Sequence, residues 1–338
     1  MAQRWVITGG AGFIGCNLIR WLLQARPEVE IWNLDALTYA GNLSNCADYA
    51  RHPRYHFVEG NICDHRLLES LLPGKDAVLH LAAETHVDRS ILDAHAFIAT
   101  NLEGTQSLLD ASRLAGVRRF LYVSTDEVYG SLGPAGRFTE SSPLLPSSPY
   151  AASKAGGEHL ALAAYRTHGL PVIVTRCSNN YGPFQHPEKF IPLMITNALA
   201  RQPIPIYGDG RQVRNWIHVD DHGRGLLAAL DMAQPGAIYN LSSDDELDNL
   251  TLARRLLEMI GAPASLIQHV ADRPGHDFRY ALDSSRARRE LNWRPAIPLL
   301  DGLRETAAWY RSHGDWVTGA RGRKFNEWYA RQYSARLS

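Results

Sequence analysis

The sequence predicts an α/β fold: a doubly wound parallel sheet, followed by a smaller C-terminal α/β lobe that would hold a substrate. Three observations carry this reading. Short apolar, β-branched runs alternate with helical stretches through the first half of the chain, the pattern of parallel strands joined by crossover helices. A glycine-rich turn, Thr8-Gly9-Gly10-Ala11-Gly12-Phe13-Ile14-Gly15, joins the first run to the first helix. An aspartate, Asp35, ends the second run 20 residues after Gly15.

The first strand reads as Trp5-Val6-Ile7, and the first helix contains Leu18–Leu23. Gly9, Gly12 and Gly15 are spaced GxxGxxG between them. Glycine there permits a tight turn, lets the backbone approach a pyrophosphate and lets the helix pack on the strand. The helix N-terminus then offers N–H groups and a positive dipole end to the phosphates. The second strand, Val29–Leu34, delivers Asp35. A carboxylate there accepts from ribose hydroxyls and repels a 2′-phosphate, which selects NAD over NADP. The fold expected is therefore of the Rossmann type.

The alternation continues. Tyr55–Val58 leads to Gly60-Asn61-Ile62 and a helix around Leu67–Leu72. Ala77–Ala83 reads as a buried strand whose small end, Ala82-Ala83, lets a cofactor lie against backbone. A helix is expected from Phe97 to Ala115, stopped by Gly116. Phe120-Leu121-Tyr122-Val123 is the next strand, leading into Ser124-Thr125-Asp126-Glu127-Val128-Tyr129-Gly130. Ligands in such sheets sit beyond the carboxyl ends of strands, so these groups fall at the site. Neighbouring side chains on a strand point to opposite faces, so Asp126 and Glu127 serve one substrate only if the strand ends near Thr125. Gly130 to Pro149 reads as a long loop beside the site, with the character of a lid.

Ser148 is placed to cap the next helix, with Pro149 in its first turn. Tyr150 and Lys154 stand one helical turn apart and share a face. A nearby ammonium and a cationic nicotinamide would lower the phenol from its usual pKa of about 10. A phenolate so tuned takes a proton from a sugar hydroxyl while hydride leaves the same carbon. From about Ser178 the alternation breaks, so residues 1–177 are expected to form the dinucleotide domain and 178–338 mainly the substrate lobe. Trp216–Val219 and Ile238–Leu241 still read as strands, so the chain is expected to revisit the sheet at about 213–243.

Composition narrows the class. Of 338 residues, 45% are hydrophobic, and lysine plus arginine balance aspartate plus glutamate at 35 each. Nothing in that balance marks a nucleic-acid or membrane surface. Four scattered cysteines, Cys16, Cys46, Cys63 and Cys177, form no CxxC pair, as expected of buried thiols in a reducing cytoplasm. With a strand read as beginning at Trp5, no secretory signal is expected. The run His218-Val219-Asp220-Asp221-His222 mimics a metal site but reads as a strand entering a capped helix, and no metal is expected. His86 is read as structural.

These residues together resemble the extended short-chain dehydrogenase/reductase superfamily, and within it the nucleoside-diphosphate-sugar 4,6-dehydratases, above all those acting on dTDP-glucose. The resemblance rests on Asp35–Leu43, LAAETHVDRSI from Leu81, STDEVYG from Ser124, Asn179–Pro183, Pro187–Pro192, IYGDGRQVRNWIHVDDH from Ile206 and DRPGHDFRYALD from Asp272. It implies oxidation of the sugar at carbon 4, loss of water across carbons 5 and 6, and hydride return to carbon 6. Asp126 is implied as the acid and Glu127 as the base. Tyr150 would take the carbon 4 hydroxyl proton, Lys154 would tune it and hold the nicotinamide ribose, and Thr125 would bond the sugar. Coenzyme contacts are implied for Gly9, Gly12, Phe13, Ile14, Gly15, Asp35, Ala36, Leu37, Thr38, Asn61, Ile62, Leu81, Ala82, Ala83, Thr100, Tyr150, Lys154 and Asn180.

Substrate contacts are implied for Thr85, Thr125, Asn179, Lys189, Phe190, Pro205, Tyr207, Arg214, Asn249, Arg273, His276 and Tyr280. Arginines suit a diphosphate through bidentate contacts, and Pro205 and Tyr207 could flank a base. By analogy a homodimer is expected, with helices from about Phe97 and Tyr150 at its interface. Two departures stand out. Asn61 replaces a usual aspartate, though its amide oxygen still accepts from adenine, and Ser242–Asn249 departs from the family pattern. The competing readings are a UDP-sugar 4,6-dehydratase, a sugar-nucleotide 4-epimerase or a non-catalytic NAD-binding regulator. A pure binder has no use for Thr125, Asp126, Glu127, Tyr150 and Lys154.

Overall fold

A computed structural model describes residues 3–333. In chain order the first half runs β1 (Gln3–Thr8), α1 (Phe13–Ala25), β2 (Val29–Asp35), β3 (Tyr55–Glu59), α2 (His65–Leu71), β4 (Ala77–His80), α3 (Val87–Leu92) and α4 (His95–Ile98). It continues through a π turn (Ala99–Gly104), α5 (Thr105–Leu114), β5 (Arg119–Thr125), a 3₁₀ turn (Asp126–Tyr129), α6 (Pro149–His168) and β6 (Val172–Cys177). The second half runs β7 (Asn179–Tyr181), α7 (Phe190–Leu199), β8 (Ile204–Tyr207), β9 (Val213–His218), α8 (Val219–Met232), β10 (Ile238–Leu241) and β11 (Glu246–Asp248). It ends with α9 (Asn249–Ile260), β12 (Ile267–Val270), α10 (Ser285–Glu290), α11 (Leu299–Ser312), α12 (Gly314–Ala320) and α13 (Arg323–Tyr333).

Seven strands form one sheet in the order β10-β6-β5-β4-β1-β2-β3, every neighbouring pair parallel. The order reverses between β1 and β4, which opens a crevice at the carboxyl ends of those strands. Both faces are covered. Trp5, Ile7, Leu79, Leu121 and Ile173 pack with Leu22 of α1 and Leu226 of α8. Their alternates Val6, Val78, Phe120 and Val172 pack with Leu68 of α2, Leu108 of α5 and Leu162 of α6. Burial on two faces explains why these strands read as continuous apolar runs rather than alternating ones.

The second lobe has its own core, in which Ile191 and Ile195 of α7, Leu252 and Leu256 of α9 and Leu303 of α11 meet Trp216, Ile204 and Ile206. Here the structure corrects the expected return to the sheet. The strand at Trp216, β9, lies in a separate sheet of order β11-β9-β7, and of the two strands expected to return only β10 rejoins the main sheet. One residue, Ser178, separates β6 from β7; the chain leaves the sheet there, and β9 pairs with β7 through Asn179↔Trp216. Periodicity identifies a strand but not its partner.

Three local expectations change in detail. The strand expected over Ala77–Ala83 stops at His80, because its neighbour β1 ends opposite it at Thr8. The Thr8 hydroxyl then accepts from Ala82 N at 3.1 Å. The helix expected from Phe97 starts at His95 and contains the π turn at 99–104, a distortion that often marks functional sites. Gly116, at φ +68°, ends it as expected. The loop after Gly130 is pinned instead of free: Leu132 N donates to Arg279 O, Phe138 N to Ala281 O and Leu145 N to Val128 O.

Ser148 caps α6 as expected, accepting from Ala151 N at 3.1 Å, with Pro149 in the first turn and Gly169 in the left-handed conformation at the end. Ser148→Ala is expected to cost about 1 kcal/mol of stability. The check is a lower urea midpoint at unchanged slope.

Candidate active site

The crevice is a cavity of about 310 Å³ that runs from the glycine turn to the end of β5. At one end Gly9 adopts φ +73°, and a Cβ on it would lie 2.7 Å from Ala82 N. A Cβ on Gly15 would lie 2.4 Å from Gly9 O. Only glycine lets α1 sit this close. Gly12 caps α1 with no side-chain bond, so the first N–H groups of the helix stay available to an anion. Asp35 holds this end together, accepting from Ala11 N at 2.9 Å and Leu37 N at 2.8 Å. Burial nonetheless pushes its carboxyl up.

Of the coenzyme residues nominated from sequence, all but Leu37 line this cavity. Leu37 adopts φ +48° and spends its N–H on Asp35, so its part is to shape the turn. Asn61 lines the cavity while its amide oxygen accepts from Cys63 N at 2.9 Å.

At the other end β5 stops at Thr125, and Asp126 and Glu127 begin the 3₁₀ turn. The strand alternation therefore ends before the two carboxyls, as a shared substrate would require, and both residues line the cavity. The Thr125 hydroxyl donates to Asp126 Oδ1 at 3.2 Å and accepts from Glu127 N at 3.3 Å. Asp126 is 2% exposed. Burial first, and the Glu127 charge next, push its carboxyl up to about 8 against the pull of Arg214. Burial also raises Glu127, opposed by Arg273, Arg214 and Lys189.

Lys154 and Tyr150 both face the cavity. Lys154 Nζ donates to Val123 O at 2.7 Å and lies 4.4 Å over the Tyr122 ring. Burial lowers the ammonium to about 8. The Tyr150 phenol is raised instead, by burial and then by the Glu127 charge, with the Thr125 hydroxyl pulling it back. One turn of spacing places the two residues on one face, and the ammonium is held by the carbonyl of Val123, two residues before the end of β5.

The nominated substrate residues divide. Thr85, Thr125, Asn179 and Lys189 line the cavity, and Lys189 Nζ donates to Thr85 O at 2.9 Å. The others sit in the second lobe outside that cavity. Tyr207 and Arg273 converge on Asp88: the phenol donates to Oδ2 at 3.0 Å and Nη1 to Oδ1 at 3.3 Å. The His276 ring lies edge-on to Tyr207 at 5.9 Å. Arg214 stacks 4.4 Å over Tyr280 and donates to Asp277 O. Phe190 stacks on Trp216 at 6.2 Å. Pro205 lies in β8 opposite Gln268, and Asn249 opens α9 with its N–H on Gln212 O.

Some participants were not nominated. Asn101, in the π turn, accepts from Glu84 N and donates to Glu84 O, both at 3.0 Å, and donates to Ser153 Oγ at 2.9 Å. It clamps the wall of the cavity to α6. Its signal was a buried amide on the apolar face of a helix. The Glu188 side chain lies fully buried, 3.1 Å from Arg89 and 4.0 Å from His86. His218 caps α8 through its ring nitrogen, and Asp221 accepts from Ala296 N and Ile297 N. These are the strand end and capped helix expected of that run.

A fit test for a dinucleotide lies in the orphaned atoms. Ser124 Oγ, Asp126 Oδ2, Ser178 Oγ, Asn179 Oδ1 and Asn180 Oδ1 are buried without a partner among the described residues, and all five residues border the cavity. A buried polar atom without a partner is costly, so a polar ligand there is expected. Fold and cleft thus define a dinucleotide-binding enzyme of the short-chain dehydrogenase/reductase type.

Residues 6–306 match the family described as GDP-mannose 4,6 dehydratase. A dTDP-glucose 4,6-dehydratase of Streptomyces griseus is 52% identical over 94% of this chain and 96% of that protein. One from Actinoplanes sp. is 51% identical over 93% of this chain and 99% of that protein. The solved dTDP-glucose 4,6-dehydratase DesIV of Streptomyces venezuelae, with NAD and TYD bound, superposes at a TM-score of 0.92 with 51% identity, covering 94% of this chain and 100% of that one. A UDP-glucuronic acid 4-epimerase from Bacillus cereus, with UDP-glucuronic acid and NAD, reaches 0.87 at 28% identity, covering 92% and 99%. The chain belongs to the nucleotide-sugar 4,6-dehydratase family.

Proposed function

We propose that the chain is an NAD-dependent hydro-lyase that converts dTDP-glucose to its 4-keto-6-deoxy product. The observation that carries this is the pair Asp126 and Glu127 on one short turn, sharing a cavity with Thr125, Tyr150 and the glycine turn. Gly9–Gly15 and Asp35 would hold NAD, which when bound would supply the acceptor for the carbon 4 hydride and the source of its return to carbon 6. Tyr150 takes the carbon 4 hydroxyl proton, and Thr125 bonds the sugar and the phenol. A ketone at carbon 4 acidifies the carbon 5 proton, which Glu127 removes. Asp126, holding its proton at neutral pH, gives it to the hydroxyl leaving carbon 6, and water departs. Arg214 and Arg273 lie near enough to Glu127 to pull on its charge. They suit the diphosphate, with Tyr207 beside the base.

The acid sets the pH dependence. A carboxyl raised to about 8 is protonated below that value and spent above it. Turnover is therefore expected to fall as pH rises through about 8, read from a kcat–pH profile. A profile that keeps rising past that point would remove Asp126 as the acid.

No described helix is long and apolar enough to cross a membrane. The four cysteines are free thiols, as suits the cytoplasm. A homodimer through α4 and α6 is expected, supported by the exposure of Ile98 of α4 (52%) and of Ile91 and Leu92 of the preceding helix α3; light scattering checks it. Residues 178–338, except β10 and the α8 and α10 helices that pack with the main sheet, are assigned to substrate. The test of function is incubation with dTDP-glucose and, separately, UDP-glucose, following keto product and any epimer. Keto product from dTDP-glucose is expected, and its absence with both sugars refutes the proposal. An epimer alone would favour the 4-epimerase reading.

A further inference from the structure

The acid–base turn cannot hold itself. A 3₁₀ turn of four residues has few internal bonds and poor hydrogen-bond geometry. Its start is tied by the Thr125 hydroxyl to Glu127 N. Its end is tied by Tyr129, whose ring is 2% exposed and stacks on Phe138 at 4.8 Å and 10°. The Tyr129 hydroxyl donates to Asn240 Oδ1 at 2.8 Å and accepts from Arg176 Nη1 at 2.6 Å. Arg176 in turn pairs with Glu158, Nε to Oε2 at 3.1 Å and Nη2 to Oε1. The two side chains are 4% and 0% exposed.

Glu158 follows Tyr150 and Lys154 at four-residue steps on α6, so the three share a face. The chain of contacts therefore runs from the helix bearing the phenol and the ammonium, through β6, to the turn bearing the two carboxyls. A buried ion pair is weak evidence for stability, since a hydrophobic pair of similar volume often does as well. What an apolar pair cannot do is hold the Tyr129 hydroxyl.

We propose that Tyr129, with the Arg176–Glu158 pair, positions Asp126 and Glu127 relative to Tyr150, and so serves the loss of water rather than the oxidation. The inference rests on Asp126 and Glu127 being the acid and base. Small misplacements of a reacting group cost rate steeply.

The test is Tyr129→Phe, which keeps the ring stack and deletes the hydroxyl. We expect kcat on dTDP-glucose to fall about tenfold, KM and bound coenzyme content to stay at the parent values, and the near-ultraviolet absorbance of the reduced coenzyme to rise during turnover. The double variant Glu158→Leu with Arg176→Met leaves no lone buried charge. It is expected to melt no lower than the parent yet to show the same kinetic defect. Parental kcat and absorbance traces in Tyr129→Phe overturn the proposal, whether or not the double variant folds. If Asp126→Asn slows elimination while Tyr129→Phe does not, the positioning role alone fails. If Asp126→Asn also behaves as the parent, the acid assignment fails and takes this inference with it.

Discussion

Asp126→Asn is expected to slow the loss of water by about 10²–10³-fold while leaving the oxidation at carbon 4 near its parental rate. The side chain sits 2% exposed beside Glu127. Asparagine has nearly the same shape and can still accept from the Thr125 hydroxyl, so the fold should hold. What it lacks is the proton. With the acid gone, substrate should be oxidised and then wait, and the near-ultraviolet absorbance of the reduced coenzyme should build up in a single turnover. Removing a buried carboxyl that is costly to ionise should also leave the thermal midpoint level or higher. A variant with parental turnover would show that the departing hydroxyl draws its proton elsewhere.

Tyr150→Phe is expected to fail earlier, with oxidation at carbon 4 reduced by about 10²–10⁴-fold and no absorbance on mixing with dTDP-glucose. The ring packs edge-on against Phe97 at 6.3 Å and within a cluster with Val87. Phenylalanine keeps those contacts. Only the oxygen proposed to receive the sugar proton is lost. The two variants therefore separate the halves of the reaction: one traps oxidised substrate, the other never oxidises it. The same trace from both would refute the division of labour between α6 and the turn after β5. Lys154 is a weaker handle, because its ammonium is engaged by Val123 O and its loss would disturb that strand end as well.

Much of the site could be read locally. The glycine turn, Asp35 and the YxxxK spacing each report on one turn or one strand end, and each lands on the cavity. The end of β5 at Thr125 was required by the chemistry before it was seen, because two neighbouring carboxyls on a regular strand would face apart. Less legible was anything that depends on a distant partner. Lys154 shares a face with Tyr150, yet bonds to a strand 31 residues back. Arg176 is an unremarkable basic residue in a strand until Glu158 and Tyr129 arrive from two other elements. The nominated Arg214 and Arg273 lie outside the lining of that cavity, though their charges act on Glu127.

By itself the sequence determined the Rossmann sheet and the glycine turn, strand end and helix start that carry the residues proposed for coenzyme and reaction, since backbone period, glycine steric freedom and capping act over a few residues. The tertiary structure alone decided which sheet β9 joins, what Lys154 holds, and which buried charges pair. Those outcomes depend on contacts between residues far apart in the chain, where burial in a low-dielectric interior, not local pattern, sets the energy.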